Sequence, residues 1–374
     1  MKDFRGSPIK YGDFSQHLHE KGAKKGIPLN GEIDLTYRCN LKCGHCYGVY
    51  EPDKKELTTD EVMRILDEMN QAGCLWLLLS GGEPLVRKDF REIYDYAKKK
   101  GFIITLFTNG TLITPEIVVL LREYRPFSVE VSLYGISKEI YEKVTGVVGS
   151  FKRCMKGIHL LLEHRIPLKV KTTVTTLNQH ELWKIKKYVE EELKVEFRFD
   201  ATISPKLDGS KGPCNLRIPP EEVVKLDIAD ERRFKEWTEI CKRFWGPIHS
   251  DTLYNCGAGL SSFHVDPYGM LRICLMVRTP GLNLRQFSFQ ESWKELNKFR
   301  MQKAGTDSRC RNCEIAFCDW CPGWAQVENG DLETPVEYLC QIAHLQAKAF
   351  GMIRGGDLNE EGKKVLSKAS DKRG

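Results

Sequence analysis

Residues 38–48, RCNLKCGHCYG, place Cys39, Cys43 and Cys46 on one short loop that follows a hydrophobic strand. Four cysteines normally hold a [4Fe–4S] cube, so three thiolates would leave one of its irons without a protein ligand. Zinc sites usually close with four Cys or His ligands, and the fourth would then be His45, which is awkwardly placed beside Cys46. The spacing favours an iron–sulfur cluster over zinc, and the rest of the sequence has to decide between them.

The composition is that of a globular protein. The 374 residues are 41% hydrophobic and 29% charged, with a net charge of +6 and no apolar run near the ~20 residues that span a bilayer. The N-terminus has no apolar stretch typical of a secretion signal. Fourteen cysteines at clustered spacings in such a chain indicate metal ligation in a reducing compartment. We therefore expect a cytoplasmic protein with no membrane partner. We expect no nucleic-acid partner either, because the Lys-rich C-terminal end carries no aromatic residue.

Predicted strands and helices alternate through the first half of the chain. The continuously apolar run CLWLLL is typical of a parallel strand that is buried on both faces. Right-handed crossovers then make a parallel, barrel-like sheet, which six units are too few to close. We predict an α/β fold, a partial (β/α)6 parallel barrel with a C-terminal α+β domain. The predicted strands are 32–37, 74–79, 102–107, 129–133, 168–175 and 195–201, and the predicted helices are 59–72, 88–100, 115–124, 150–164, 179–193, 219–226 and 231–244.

Four sequence signals follow successive predicted strands. The cysteine loop follows the first strand, residues 81–84 (GGEP) the second and residues 108–110 (TNG) the third, and Ser132 lies near the end of the fourth. In barrel folds of this kind, functional loops lie at the C-terminal ends of the strands. The four signals therefore predict one shared site on one rim.

A C-x3-C-x2-C loop followed by SGGEP at residues 80–84 resembles the radical S-adenosylmethionine (SAM) enzymes. The resemblance runs from about Gly31 to Phe350. It implies that the open iron chelates the amino and carboxylate groups of SAM. One electron from the cluster then cleaves the sulfonium, and the resulting 5′-deoxyadenosyl radical abstracts a hydrogen atom. The resemblance also implies a partial-barrel core and a flavodoxin- or ferredoxin-type electron donor.

Residues 81–83 are the first predicted SAM contacts. Gly81 and Gly82 let the backbone approach a ligand closely, and Glu83 can accept a hydrogen bond from a cationic amine. In the family, this motif contacts the methionyl amino group. The alternative is an ordinary strand-to-helix turn with a capping carboxylate.

Three further residues are candidate SAM contacts. Ser132 resembles the family position that hydrogen-bonds the ribose hydroxyls. The alternative is an ordinary serine at a strand end, with its hydroxyl hydrogen-bonded within the protein. Asn109 either lines the pocket or forms an Asn-Gly turn. His45 stands where the family often has an aromatic residue against the adenine. The sequence indicates no catalytic side chain.

A second group of cysteines lies in the C-terminal third of the chain. Residues 261–274 (SSFHVDPYGMLRIC) predict a β-hairpin whose turn is at 266–269, and a C-x2-C-x4-C-x2-C run follows. This pattern resembles the SPASM extension of radical SAM enzymes, which carries auxiliary [4Fe–4S] clusters. A zinc ribbon on the central run would leave three cysteines unexplained. The cysteines concerned are Cys256, Cys274, Cys310, Cys313, Cys318, Cys321 and Cys340.

The family resemblance implies how these seven cysteines are divided. One auxiliary cluster would be held by Cys310, Cys313, Cys318 and Cys340. The other would have Cys256, Cys274 and Cys321, with one iron open. Asp251, Cys241, a water or the substrate are the candidates for the fourth ligand. The expected cofactors are SAM and three [4Fe–4S] clusters.

We expect a radical SAM/SPASM oxidoreductase that matures a ribosomally synthesised peptide. Leu275, directly after Cys274, disfavours the sulfatase-maturing group, which has an aspartate there. Only about 30 residues precede the first strand, so the peptide would be recognised directly or through a separate carrier protein. The alternatives are an enzyme acting on a small molecule or tetrapyrrole, and a non-catalytic iron–sulfur electron carrier. The predicted division is an extension at 1–30, a radical SAM barrel at 31–207, a linker at 208–250, a SPASM domain at 251–350 and a disordered polar tail at 351–374.

Overall fold

The structure is a computed structural model, and it describes residues 11–246, 251–305, 308–318 and 321–351. The first ten residues of the predicted N-terminal extension lie outside this range. So does the predicted tail, apart from Gly351. The predicted domain boundaries stay predictions.

A nine-stranded sheet forms the centre of the described chain, in the order β6-β5-β4-β3-β2-β1-β7-β8-β9. Strands β1 to β7 run parallel. At one edge, β8 pairs antiparallel with β7, and β9 pairs antiparallel with β8. The six predicted parallel strands and the α/β class are confirmed. The strands are β1 Asn30–Asp34, β2 Trp76–Ser80, β3 Ile103–Thr108, β4 Ser128–Ser132, β5 Leu168–Thr173, β6 Glu196–Asp200, β7 Ser262–Val265, β8 Met270–Arg272 and β9 Leu282–Asn283.

Helices follow the strands as predicted, with additions. A capping box between Thr58 and Glu61 begins α2, as expected for Thr next to an apolar helical repeat. The predicted helix at 179–193 is instead a 3₁₀ turn, α7 and a π-helical turn. Helices α1, α5, α10, α11 and α12 were not predicted. The helices are α1 Tyr11–Lys25, α2 Thr59–Gln71, α3 Phe90–Lys99, α4 Pro115–Glu123, α5 Lys138–Thr145, α6 Ser150–Glu163, α7 Leu182–Lys187, α8 Pro220–Ala229, α9 Glu231–Arg243, α10 Phe289–Arg300, α11 Pro322–Asn329 and α12 Glu337–Ala349.

The two faces of the sheet differ in polarity because side chains alternate along each strand. One face is apolar, packs under the helices and belongs to the main hydrophobic core; it includes Ile33, Leu79 and Val170. The opposite face carries charged residues at alternate positions, and we call it the inner face. Its titratable members are Glu32, Asp34, Glu130, Lys169, Lys171, Glu196, Arg198, Asp200 and His264.

The predicted hairpin at 261–274 is confirmed, and it joins the barrel sheet. Strand β7 pairs in parallel with β1, so that His264 lies beside Glu32. Strand β8 then returns antiparallel to β7. A segment expected in the second domain therefore supplies an edge to the first sheet. No helix in the described ranges is both long and apolar enough to cross a bilayer.

We expect Phe263→Ala to lower the free energy of unfolding by about 3–5 kcal/mol. Phe263 is 2% exposed, and its ring centroid lies 4.8 Å from that of Phe289 and 5.9 Å from that of Trp293. Chemical denaturation followed by circular dichroism measures the change. The matched control Phe287→Ala removes a ring that is 49% exposed and should change stability by less than about 0.5 kcal/mol. Equal losses in the two variants would contradict the burial of β7 in the core.

Candidate active site at the carboxyl rim of the sheet

The loop after β2 is clamped to the segment that leads into the cysteine loop. The backbone nitrogen of Gly82 donates to the carbonyl of Thr36 at 2.7 Å, and that of Glu83 donates to Arg38 at 3.0 Å. Gly81 has a φ of 133°, and a Cβ there would lie 2.2 Å from the Thr36 oxygen. The close approach that these glycines permit is therefore made to the backbone just before Cys39. Strand β1 ends at Asp34, earlier than predicted, although backbone hydrogen bonds to the β2 side continue through Leu35 and Thr36.

The carboxylate of Glu83 connects two loops of the rim. Glu83 is fully buried and accepts hydrogen bonds from Thr108 Oγ1 at 2.9 and 3.0 Å, from the Asn109 nitrogen at 2.7 Å and from the Leu85 nitrogen at 3.1 Å. Burial raises the pKa of Glu83 to about 7, and these hydrogen bonds counteract part of that rise. Both carboxylate oxygens of Glu83 therefore accept hydrogen bonds from the protein itself.

Asn109 lies beside the cysteine loop. Its Nδ2 atom donates to Asn40 Oδ1 at 2.9 Å and lies 3.7 Å from Cys39 Sγ. Its Oδ1 atom accepts from the backbone nitrogen and the hydroxyl of Thr111, at 2.9 and 2.6 Å. Gly110, with a φ of 74°, completes the turn. Asn109 thus forms the Asn-Gly turn and lies beside the cysteine loop, and its contact with SAM stays a prediction.

The three cysteines of the first motif lie together. Burial raises the pKa of Cys39 to about 11, and the nearby Glu83 and Cys46 add to that rise. Burial also raises the pKa of Cys43, and the charges of Cys46 and Cys39 raise it further. The positive charge of a bound metal would offset this mutual repulsion and keep the coordinated thiols deprotonated. The donor set therefore fits a metal cluster with three protein thiolates.

His45 and Ser132 both lie at this rim, where His45 contacts Tyr134 and Ser132 ends β4. His45 is buried, its ring makes an edge contact with Tyr134 at 4.7 Å, and its Nδ1 atom has no partner in the described part of the chain. Burial lowers the pKa of His45 to about 4, so its imidazole is neutral at neutral pH. Ser132 is the last residue of β4, as predicted.

Sequence reasoning missed a polar cluster on the inner face. The Nε2 atom of His264 lies 3.0 Å from Asp34 Oδ2, and both residues are fully buried. Glu32 joins them, with ligand atoms of the three residues within 4.8 Å of one another. Asp34 Oδ1 and His264 Nδ1 have no hydrogen-bond partner among the residues described. This set has the chemistry for proton exchange and the donor types of a cation site.

Charged residues of β4, β5 and β6 extend this inner face. Lys171 Nζ lies 3.9 Å from Glu130 Oε2, and Arg198 Nη1 lies 3.8 Å from Glu130 Oε1. Burial raises the pKa of Glu32 to about 7 and lowers that of Lys171 to about 7, although each charge favours the ionised form of the other. The signal was present in the sequence, because charges alternate with apolar residues in the runs EIDL, KVKT and EFRFD.

Four of the predicted auxiliary cysteines share a cavity. Cys310, Cys313, Cys318 and Cys340 line a space of about 240 Å³, with Cys321 also at its wall. Cys340 comes from α12, and Cys321 is the N-cap of α11. This brings together the set that the resemblance assigned to one cluster.

The remaining three auxiliary cysteines are also neighbours. Burial raises the pKa of Cys274 to about 12, and the nearby Cys321 and Cys256 contribute to the rise. Asp251 is an exposed side chain that binds Arg311 at 2.6 Å and faces Lys303 at 3.9 Å.

Cys241 lies elsewhere. It packs in a separate apolar cluster with Ile315 and Phe317. Both protein candidates for the fourth ligand are therefore engaged in other contacts in this arrangement.

Comparison with known proteins agrees with this geometry. A family model described as the radical SAM superfamily matches residues 33–190. The AdoMet-dependent heme synthase of Methanosarcina barkeri is 30% identical over 323 residues, which are 80% of this chain and 92% of that protein. The chain belongs to the radical SAM superfamily. As a radical SAM enzyme it uses SAM and a [4Fe–4S] cluster, and the predicted relation to the SPASM-type members is confirmed.

Two further similarities concern peptide-modifying members of the superfamily. The antilisterial bacteriocin subtilosin biosynthesis protein AlbA of Bacillus subtilis is 29% identical over 309 residues, which are 79% of this radical SAM enzyme and 65% of AlbA. The structure of Streptococcus suis SuiB bound to its precursor peptide SuiA superposes with a TM-score of 0.68 at 18% identity. That superposition covers 90% of this chain and 82% of SuiB, and it shows the shared fold.

We expect Gly81→Ala to reduce the formation of 5′-deoxyadenosine from SAM by about 10²-fold, because small displacements in an active site have effects of this size. The new Cβ would meet the Thr36 oxygen at 2.2 Å and displace the clamp beside Cys39. The matched control is Gly101→Ala, since Gly101 also has a positive φ, 92°, but has no atom within 4 Å of a new Cβ. Chromatography of the nucleoside product measures both rates. Equal rates in the two variants would contradict a role for the clamp.

Proposed function

We propose that this radical SAM enzyme holds a [4Fe–4S] cluster on Cys39, Cys43 and Cys46, binds SAM at its open iron, and modifies a ribosomally synthesised peptide. The observation that carries this proposal is the convergence of the three thiols on a rim to which the loops after β2 and β3 are tied. When bound, the cluster and SAM supply the 5′-deoxyadenosyl radical.

The chain's own residues would position SAM. Gly81 and Gly82 fix the loop beside Cys39, where the methionyl group would lie. Glu83 already accepts from three donors, which holds the loops in place, and a carboxylate has about four acceptor sites, so one would be left for the amino group. Ser132 would bond the ribose. His45 would present a neutral imidazole to the adenine.

We also propose two auxiliary [4Fe–4S] clusters. The cavity lined by Cys310, Cys313, Cys318 and Cys340 offers four thiols, which is a complete ligand set. Within the described residues, the set of Cys256, Cys274 and Cys321 would be one ligand short, because Asp251 and Cys241 make other contacts. The second cluster would thus keep an iron that a substrate group can bind.

Peptide maturation is supported by that incomplete set and by the polar inner face. An open iron accepts a soft donor such as a thiolate. Oxidation of a substrate also releases a proton, and the buried pair of Asp34 and His264 would accept it. AlbA and SuiB, whose names refer to a bacteriocin and a precursor peptide, agree with this class of substrate.

A tetrapyrrole substrate is the second candidate. The heme synthase of M. barkeri is matched over 92% of its length, whereas AlbA is matched over 65%. Lys171 and Arg198 on the inner face would suit the carboxylates of such a molecule.

The proposed partners follow from the chemistry. We propose a flavodoxin- or ferredoxin-type protein as the electron donor. For a peptide substrate, we propose either direct recognition or a separate carrier protein.

Cys43→Ala should abolish 5′-deoxyadenosine formation after anaerobic reconstitution. The wild-type chain should bind about twelve irons and the variant about eight, because a cube holds four. Iron analysis and chromatography measure the two quantities. The matched control Cys214→Ala changes an isolated cysteine and should leave both unchanged. Turnover that survived Cys43→Ala would refute the assignment of the radical-generating cluster, and an electron carrier would form no 5′-deoxyadenosine at all.

The substrate class can be tested by co-expression with the short reading frames that flank the gene. A peptide whose mass decreases by about two hydrogens only with active enzyme supports maturation. A tetrapyrrole whose absorption spectrum changes with SAM and reductant, with every peptide unmodified, would replace that assignment with the second candidate.

Asp34→Asn should uncouple SAM cleavage from product formation. We expect 5′-deoxyadenosine to form as in the wild type, with product formation about 10²-fold lower, the size of a general-base contribution. The matched control Glu196→Gln changes a half-buried carboxylate on the same sheet face and should keep the ratio of product to 5′-deoxyadenosine. Mass spectrometry of both products gives this ratio, and an unchanged ratio in Asp34→Asn would exclude the proton-accepting role.

A further inference from the structure

Two buried hydrogen-bond donors in the C-terminal region have no acceptor among the described residues. Tyr254 is 2% exposed and Arg300 is 5% exposed. Tyr254 Oη and Arg300 Nε are without a hydrogen-bond partner in the part of the chain that the structure describes. Nearly all buried polar groups in proteins are satisfied, and an unsatisfied one costs about 1–3 kcal/mol. Two such atoms close together are donors available to an acceptor that the described residues do not supply.

Both donors lie next to the three-cysteine set. Arg300 Nη2 donates to the carbonyl oxygen of Cys256 at 3.1 Å, and the Arg300 guanidinium lies 5.9 Å from the centre of the Tyr254 ring. Tyr254 itself precedes Cys256 by only two residues in the chain. The two donors therefore face the same sulfur-rich region.

The surrounding chain fixes these side chains in place. Arg300 is the last residue of α10, and the ring of Phe299 packs 5.9 Å from that of Tyr254. Gly259 has a φ of 71°, and a Cβ there would lie 2.9 Å from Arg300 Cβ, so only glycine leaves room for this arginine. Asn297 Nδ2 donates to the Gly259 carbonyl at 2.8 Å and holds that turn against α10.

We propose that Tyr254 and Arg300 donate hydrogen bonds to the sulfur atoms of the cluster held by Cys256, Cys274 and Cys321, and thereby raise its reduction potential. This inference rests on the proposed auxiliary clusters. Hydrogen bonds to the sulfurs help to set the potential of an iron–sulfur cluster, and they favour the reduced form because it carries one more negative charge. The two residues act through the cluster and are positioning residues.

The raised potential has a place in the reaction. After hydrogen abstraction, the substrate radical would give one electron to the oxidised cluster and one proton to a base, leaving a closed-shell product. That single electron would reduce the cluster, so the electrons and protons balance. A cluster with two nearby donors is the better acceptor for this step.

The test is a potentiometric titration followed by electron paramagnetic resonance. The chain carries Cys39→Ala, Cys43→Ala and Cys46→Ala, so that only the auxiliary clusters contribute. We expect Tyr254→Phe to make one of the two midpoint potentials more negative at unchanged iron content. Arg300→Lys, which keeps the charge and removes Nε, should move the same potential. The matched control Tyr96→Phe removes a hydroxyl that bonds Asp67 and should move neither potential.

The outcomes separate this inference from the proposal on which it rests. Cys340→Ala should abolish the signal that does not respond to Tyr254→Phe. Unchanged potentials at full iron content in both Tyr254→Phe and Arg300→Lys would overturn the inference and leave the auxiliary clusters in place. If replacing Cys256 and Cys274 with Ala left the iron content unchanged, the proposed auxiliary cluster itself would be overturned.

Discussion

The hydrogen bonds of the buried Glu83 carboxylate are the interaction on which the rim of the sheet depends. Glu83 accepts from Thr108 and Asn109 after β3, while its own backbone nitrogen donates to Arg38 beside the cysteine loop. Three loops from three strands are thereby held by one residue. Because a buried carboxylate without partners is strongly unfavourable, these loops cannot separate independently. The three thiols of the first motif therefore sit on a rigid base.

The sheet places reactive groups on its inner face by simple alternation. Apolar residues such as Ile33 and Leu79 pack against the helices, and the residues between them turn toward the interior of the partial barrel. The addition of β7 to the edge of β1 then brings His264 against Asp34. The C-terminal region thus completes the inner face of the barrel as well as carrying its own cysteines.

The features that could be predicted from the sequence are those that depend on a local pattern of residues. Ligand spacing predicted the cysteine loop, apolar runs predicted the parallel strands, and the turn at 266–269 predicted the hairpin. The pairing of His264 with Asp34 spans 230 residues, and no local pattern encodes it. The burial of Glu83 depends on donors that the next loop supplies, so the motif alone indicated a ligand contact and not a connection between loops. Tyr254 and Arg300 looked ordinary because their missing acceptors become visible only in the folded chain.

Electron–nuclear double resonance on the reduced wild-type enzyme tests the central claim most directly. SAM carrying ¹⁵N in its amino group and ¹⁷O in its carboxylate would be added to the reconstituted chain, whose cluster we propose to lie on Cys39, Cys43 and Cys46. We predict hyperfine coupling of both nuclei to that cluster, as expected when SAM binds the iron that lacks a protein ligand. A reduced cluster that shows no coupling to either nucleus at saturating SAM would contradict the account.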